Sequence, residues 1–192
     1  MRAILFDLDG TLVDTMASTP QAYADTIRAL GGPVVSPSDV VATWHIGPTP
    51  VVLAHFLGRA ATAEDVETFH DHVARGDVRP FPGVTELLGD LRDEGYLLGV
   101  YTSATRRAAA FKMRSAGIDL PLVAGDEVER PKPAPDGLEL LCCLLGVAPS
   151  DSAYVGDAQT DLQCAAAAGA LGIHTPLGVS ATVISAALAR GR

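Results

Sequence analysis

Two aspartates separated by one residue, Asp7 and Asp9, follow a short apolar stretch at the start of the chain. Gly10 comes directly after them and allows an abrupt turn, so both carboxylates can face one small site at the end of a buried strand. Such a pair of acids suits a metal ion and a phosphoryl group. Taken alone, the segment fits an ordinary Asp- and Gly-rich loop equally well, so its chemistry depends on its context.

Three later segments each add a polar group that phosphoryl chemistry uses. Thr102 and Ser103 follow an apolar stretch and offer hydroxyl groups to a phosphoryl oxygen, although a Thr-Ser pair is also a common helix N-cap. Lys132 lies between prolines, which hold the backbone extended and present a single ammonium group. Asp157 and Asp161 are one helical turn apart at the start of an Ala-rich segment, so they can face the same way.

Apolar strand candidates alternate with helical stretches, which is the pattern of a parallel α/β sheet with its functional edge at the carboxyl ends of the strands. The expected strands span 2–7, 97–101, 121–125, 153–156 and 171–175. The expected helices in this part span 84–94, 104–116, 135–146, 158–169 and 180–190.

The strand pattern lapses between Asp14 and Pro82, where helical spacing dominates and glycines and prolines separate short helices. This change predicts an α/β catalytic core made of residues 1–14 and 82–192. Residues 15–81 are expected to form a helical cap inserted after the first acidic motif. The histidines and arginines on its helical segments are expected on solvated faces: His55, Arg59, His70, His72 and Arg75.

The four motifs DLDGT, TS, PKP and GDAQTD occur in a fixed order that resembles the haloacid dehalogenase superfamily of phosphotransferases. The resemblance spans nearly the whole chain, and the first motif combined with the last is specific for the superfamily. It implies a Rossmann-like parallel sheet with a small inserted α-helical cap. The cap and the stretch WHIGPTP are similar to the phosphoglycolate phosphatase group.

The resemblance implies a phosphatase that hydrolyses a small-molecule phosphate monoester through an aspartyl-phosphate. Asp7 would be the nucleophile, and Asp9 would be the general acid and then the general base. Thr102 and Lys132 would hold the phosphoryl oxygens, together with amides near Leu8 and Ser103.

The resemblance also implies a magnesium site, because several carboxylates that meet at one place repel each other and the phosphate. Mg²⁺ prefers oxygen ligands and keeps several waters. The expected ligands are Asp7, the backbone carbonyl of Asp9, and Asp157. Asp161 would bind through water or orient Lys132.

The cap of the resembling family closes over the site, so substrate selection is expected there. His45 follows the single tryptophan and precedes a turn, and Arg79 lies near a hinge; both are candidates for selecting the substrate. The alternative is that Trp44 anchors the core of the cap itself and that His45 is solvated.

Two other functions stay open. A sugar-phosphate mutase of the β-phosphoglucomutase type shares the core chemistry, although the turn at Gly47 lacks the arginine expected to hold a second phosphate. A non-hydrolytic phosphorelay or regulatory protein would also combine acids, a hydroxyl and a lysine on a parallel sheet. Receiver domains, however, carry the phosphorylated aspartate on a middle strand.

Composition restricts the partners. A chain of 192 residues with 48% hydrophobic residues can bury a substantial core. A net charge of -9 argues against a nucleic-acid partner, and the absence of a long apolar run argues against a membrane. Three cysteines in apolar segments are expected to be small core residues in a reducing, cytoplasmic setting. A monomer or a homodimer is expected.

Overall fold

The computed structural model of the protein describes residues 1–190, apart from the side chains of His45, Leu188 and Arg190. Its strands are β1 (Ala3–Phe6), β2 (Val13–Asp14), β3 (Arg79–Pro80), β4 (Leu97–Thr102), β5 (Leu122–Ala124), β6 (Ser152–Gly156) and β7 (Leu171–His174). Its α-helices are α1 (Ser18–Ala29), α2 (Pro37–Thr43), α3 (Thr49–Leu57), α4 (Ala63–Val73), α5 (Val84–Asp93), α6 (Arg106–Ser115), α7 (Asp136–Leu145), α8 (Gln159–Ala168) and α9 (Ala181–Arg190). Single turns of 3-10 helix lie at Trp44–Ile46, Gly125–Glu127 and Pro149–Asp151.

Five strands form one parallel sheet in the order β5-β4-β1-β6-β7. All four residues of β1 are buried, as expected for a strand covered on both faces of a parallel sheet. Ala3 pairs with Leu97 of β4 on one side and with Ser152 of β6 on the other. The chain builds the sheet outward from β1, first through β4 and β5 on one side and then through β6 and β7 on the other. The segments that follow the neighbouring parallel strands β1, β4 and β6 therefore meet at one edge of the sheet.

The sheet confirms the predicted α/β fold, and its strands and helices lie within two residues of the predicted ranges. The sequence did not reveal a short antiparallel ribbon, in which β2 pairs with β3 through Val13 with Pro80 and Asp14 with Arg79. Two-residue strands carry too little periodicity to be recognised in a sequence.

The residues group into two compact units. One unit, the α/β core, contains Met1–Asp14 and the chain from Arg79 onward; the other, the helical insert, is Thr15–Val78. The second boundary lies at Arg79, where the sequence predicted residue 82. The reason is that Arg79 and Pro80 pair with the strand that ends at Asp14.

The helical insert has a small core of its own, in which α1 packs against α2, α3 and α4. The ring of Tyr23 lies 4.3 Å from that of Phe69, and the Tyr23 hydroxyl donates a hydrogen bond to Thr49 Oγ1 at 2.9 Å. The expectation that His70 is solvated is wrong, because His70 is buried on the apolar side of α4, with Nδ1 at 3.3 Å from Glu67 Oε1.

Two of the three cysteines, Cys142 and Cys164, are buried as expected for small core residues. Cys143 is exposed, which corrects the prediction for this residue. Adjacent residues on a helix face directions about 100° apart, so one of the pair turns to solvent. None of the helices in residues 1–190 has the length and apolar character needed to cross a membrane.

Candidate active site

Asp7 extends β1 by one residue at the carboxyl edge of the sheet. Its backbone N–H donates to the carbonyl of Val155 at 2.8 Å, which continues the pairing of β1 with β6. Its carboxylate is nearly buried and accepts a hydrogen bond from Lys132 Nζ at 2.6 Å. The same ammonium donates to Asp161 Oδ1 at 2.8 Å. Lys132 therefore joins two acids that are far apart in the sequence.

Lys132 is surrounded by groups that hold a positive charge. Nζ lies 5.1 Å from the ring centre of Tyr101 and 5.2 Å from that of Tyr154, within the range of cation–π attraction. The Tyr154 hydroxyl donates to the Tyr101 carbonyl at 2.7 Å, which fixes one of these rings. Burial disfavours the ammonium form, but Asp161 and Asp7 outweigh this effect and raise the pKa of Lys132. These contacts therefore favour the charged form of Lys132.

Asp7, Asp157 and Asp161 form an acidic cluster in which one carboxylate oxygen of each lies within 4.8 Å of the others. Burial raises the pKa of Asp7, Lys132 offsets part of the rise, and Asp161 and Asp157 add to it. Burial also raises the pKa of Asp157, against the effect of its hydrogen bond from Thr11. Excess negative charge on clustered oxygen donors is what a hard divalent cation relieves, so these residues fit magnesium.

Two glycines allow the backbone to approach these acids. A Cβ atom at Gly10, where φ is +80°, would lie 2.6 Å from Asp157 Oδ2. A Cβ atom at Gly156 would lie 2.3 Å from Asp161 Oδ2. Real Cβ contacts are longer than either distance, so a side chain at these positions would displace the carboxylates.

Asp161 and Asp157 are held by different contacts. Asp161 Oδ2 accepts the backbone N–H of Ala158 at 3.0 Å, so both of its oxygens have partners, one on the backbone and one on Lys132. Asp157 Oδ1 accepts from the Thr11 hydroxyl at 3.0 Å and is less buried than Asp161. Asp157 is thus the more exposed of the two carboxylates, whereas Asp161 is buried and contacts Lys132.

The predicted phosphate-binding residues lie at the same edge of the sheet. Thr102 ends β4 and is buried, and its Oγ1 accepts the N–H of Ala104 at 3.2 Å, while Ser103 is exposed. Leu8 is fully buried, and its carbonyl accepts the N–H of Leu12 and Val13 at 3.0 Å each. These bonds close the tight loop that follows Asp7.

Asp9 faces a partner that the sequence did not predict. Both of its carboxylate oxygens accept from Lys112 Nζ, at 2.7 and 2.9 Å, and its side chain is not among the clustered acids found in the described residues. Lys112 is 1% exposed. The signal that could have revealed it is its place on the apolar face of α6, beside Met113 and one turn after Ala108.

The two candidates for substrate selection stay predictions. The backbone of His45 lies in the single 3-10 turn Trp44–Ile46, and its side chain lies outside the described part of the chain. Arg79 is exposed in β3, opposite Asp14 in the short ribbon. Trp44 is half-buried within the helical insert.

Comparison with known proteins agrees with this architecture. The family model for haloacid dehalogenase-like hydrolases matches residues 4–173. The chain is 35% identical over 179 residues to a plasmid phosphoglycolate phosphatase of Cupriavidus necator, covering 87% of this chain and 77% of that protein. It is 31% identical over 175 residues to hexitol phosphatase A of Escherichia coli, covering 88% and 80%.

A similar solved structure is that of CbbY from Rhodobacter sphaeroides in complex with phosphate. It superposes with a TM-score of 0.80 at 26% identity, covering 92% of this chain and 86% of the other. The chain belongs to the haloacid dehalogenase-like hydrolase family. It is an enzyme of the phosphatase kind within that family.

Proposed function

We propose that the protein is a magnesium-dependent phosphatase that hydrolyses a small-molecule phosphate monoester through an aspartyl-phosphate on Asp7. The observation that carries the proposal is the contact of Lys132 with Asp7 and Asp161, next to the cluster that those acids form with Asp157. A carboxylate, a fixed cation and further acidic oxygens at the end of a central strand suit phosphoryl transfer.

In the first half of the proposed reaction, a carboxylate oxygen of Asp7 attacks phosphorus and the bond from phosphorus to the ester oxygen breaks. Asp9 gives a proton to the departing alkoxide. In the second half, Asp9 accepts a proton from water as that water attacks phosphorus. The bond from phosphorus to Asp7 then breaks, inorganic phosphate leaves, and both carboxyl groups return to their starting state.

Lys132, Thr102 and the amides near Leu8 and Ser103 would bind the phosphoryl oxygens on which charge accumulates. Lys132 suits this role because its ammonium is held in one place by two carboxylates and two rings. Its fixed position means that little reorganisation is needed as charge develops on phosphorus.

Asp7, Asp157 and the backbone carbonyl of Asp9 would hold the magnesium ion, with Asp161 bound through water or orienting Lys132. The ion, when bound, would neutralise the acids and polarise the phosphoryl group. The raised pKa of Asp7 supports this assignment, because a buried nucleophile needs a nearby positive charge to remain ionised.

The substrate we propose is a phosphate ester of a small polar alcohol, with 2-phosphoglycolate as the first to test. Two relatives named for such esters support this choice, one for phosphoglycolate and one for hexitols. His45 and Arg79 remain the proposed selecting residues. Three unpaired cysteines support a reducing, cytoplasmic setting, and we propose a monomer or a homodimer.

Phosphate release from a panel of esters tests the proposal. The panel contains 2-phosphoglycolate, hexitol phosphates and hexose phosphates, each with magnesium and with EDTA. We expect release only with magnesium, and we expect Asp7→Asn to lose turnover while its circular dichroism is unchanged. Asp7→Asn activity within about tenfold of the wild type, about 1.4 kcal/mol of barrier, would remove Asp7 from the nucleophilic role.

The same panel separates the alternatives. Conversion of a hexose 1-phosphate into its 6-phosphate without phosphate release would indicate a mutase. A stable phosphoprotein with no turnover would indicate a phosphorelay or regulatory role. Release that is undiminished by EDTA would contradict the proposed metal.

A further inference from the structure

Lys112 occupies an unusual position for a lysine. It lies on α6, on the face that buries Ala108, Ala109 and Met113, and only 1% of it is exposed. An apolar residue of similar length would fill this position without the cost of removing an ammonium group from water. Burying a charge is costly unless the charge is paired. The charge of Lys112 therefore needs a specific partner.

That partner is Asp9. Lys112 Nζ donates to Asp9 Oδ1 at 2.7 Å and to Oδ2 at 2.9 Å, across 103 positions of the sequence. The lysine side chain is 2% exposed and the aspartate side chain is 20% exposed. The contact thus approaches the carboxylate from inside the protein and leaves part of Asp9 open to solvent.

The two acids of the first motif therefore each have their own buried lysine. Asp7 contacts Lys132, which follows β5, and Asp9 contacts Lys112, which belongs to α6. Lys132 also contacts Asp161 in the acidic cluster. Lys112 donates both of these hydrogen bonds to the same carboxylate, so its contact fixes the orientation of that carboxylate.

We propose that Lys112 is a positioning residue that holds the carboxylate of Asp9 in the orientation needed for proton transfer. The inference rests on the proposed function, in which Asp9 is the acid and then the base. Oδ1 keeps its hydrogen bond to Lys112, while Oδ2, the more distant oxygen, gives a proton to the departing alkoxide and later takes one from water. When Oδ2 carries the proton, Oδ1 is a carbonyl oxygen and still accepts from the lysine, so the contact persists through both halves of the reaction.

The test compares two esters that differ in their need for an acid. The alkoxide that leaves 2-phosphoglycolate needs a proton, whereas p-nitrophenolate leaves as a stable anion. The ratio kcat/KM covers only the steps up to loss of the leaving group. We expect Lys112→Met to lower kcat/KM for 2-phosphoglycolate by about 10- to 100-fold, since misplaced catalytic groups lose activity on this scale. For p-nitrophenyl phosphate we expect a change of less than about threefold.

Two variants of the same helix provide controls. Lys112→Arg should restore most of the activity toward 2-phosphoglycolate, because a guanidinium group can donate to both carboxylate oxygens. Arg114→Met removes an exposed cation two residues away and should affect neither ester. Three results for Lys112→Met would overturn the positioning role. They are an equal fall of kcat/KM for both esters, no fall for either ester, and faster hydrolysis of 2-phosphoglycolate.

Asp9→Asn separates this inference from the proposed function. It should lose activity toward 2-phosphoglycolate far more than toward p-nitrophenyl phosphate, and adding Lys112→Met should then cause no further selective loss. If Asp9→Asn affects the two esters equally, the acid role of Asp9 is wrong and the inference falls with it. If Asp9→Asn discriminates and Lys112→Met does not, only the role of Lys112 is overturned.

Discussion

Charged side chains are used differently in the α/β core and in the helical insert. At the carboxyl edge of the core, Lys132 and Asp7 are 125 positions apart, and Lys112 and Asp9 are 103 positions apart. In the insert, Arg28 contacts Asp25 three positions away, and Arg59 contacts Asp65 six positions away.

The difference shows what each kind of pair can do. Local pairs form as soon as a helix and its preceding loop form, so they stabilise those elements and little else. Long-range buried pairs need the whole sheet in place, and their desolvation cost can exceed the stability that they return. Such pairs are explained by what they hold in position, which in this protein is the pair of acids proposed to carry out phosphoryl transfer.

The largest expected effect comes from removing the contact between Lys132 and Asp7 in the core. Lys132→Met leaves Asp7 and Asp161 buried without their shared cation. Loss of one partner of a buried pair costs about 3–5 kcal/mol of stability. In the proposed reaction Lys132 binds the phosphoryl oxygens, and loss of such a donor should lower kcat by about 10²–10³. Urea unfolding in EDTA and phosphate release with magnesium measure the two effects.

Arg28→Met is the matched change in the insert. Its side chain is 70% exposed, so its pair with Asp25 contributes about 0–1 kcal/mol. A stability loss for Lys132→Met no larger than that of Arg28→Met would contradict the distinction between the two regions.

A smaller effect is expected from a methyl group beside Asp161. In Gly156→Ala the new Cβ would lie 2.3 Å from Asp161 Oδ2, so the carboxylate must move and Lys132 loses part of its support. Overpacking of this kind costs about 1–3 kcal/mol of stability. A 1 Å displacement near reacting groups lowers kcat by up to about 100-fold. Stopped-flow assays and urea unfolding would measure these losses.

Gly89→Ala serves as the control for this substitution. Gly89 lies within α5, and a Cβ atom at this position would have no neighbour within 4 Å among the described residues other than adjacent residues and the backbone of its own helix. Alanine should therefore raise stability by about 0.5–1 kcal/mol and leave kcat unchanged. Equal behaviour of the two variants would show that the close approach at Gly156 has no part in holding Asp161.

Several features of the fold and site could be predicted from the sequence because they repeat a local pattern. Buried parallel strands are continuous apolar runs, such as Ala3–Phe6, and their ends mark where polar groups follow. The order of the four motifs then indicated which polar groups share an edge, and the structure brings Asp7, Lys132, Asp157 and Asp161 together.

The remaining features depend on contacts between elements, which periodicity does not specify. A helical pattern shows that position 112 lies on the inner face of α6, but it does not show that the lysine reaches Asp9. The rings of Tyr101 and Tyr154 appeared as ordinary strand residues, although they flank Lys132. His70 is buried because α4 packs against α1, a contact that its own segment does not encode.

The smallest expected effect tests the local side of the comparison. Asp65 is part of a capping box at the start of α4, where it accepts from the Thr62 N–H at 2.8 Å and from Arg59. The Arg59 hydrogen bond, followed by that of Thr62, holds the pKa of Asp65 well below its usual 3.8. A lowered pKa in the folded state means that this contribution to stability is complete above about pH 4 and is lost as pH falls further.

Asp65→Asn should therefore lower the Tm of the insert modestly at pH 7. It should also make that Tm less sensitive to acid between pH 4 and pH 3, where the Asp65 carboxylate of the wild type takes up a proton in the unfolded state but not yet in the folded state. Fluorescence of Trp44, the single tryptophan, reports on the insert directly.

Asp25→Asn provides the comparison, because Asp25 contacts Arg28 within a helix but caps no helix end. If Asp65→Asn instead reduced phosphate release from p-nitrophenyl phosphate as strongly as Gly156→Ala, a local pair of the insert would be supporting the chemistry of the core. That result would contradict the distinction between long-range pairs, which position catalytic groups, and local pairs, which stabilise a helix.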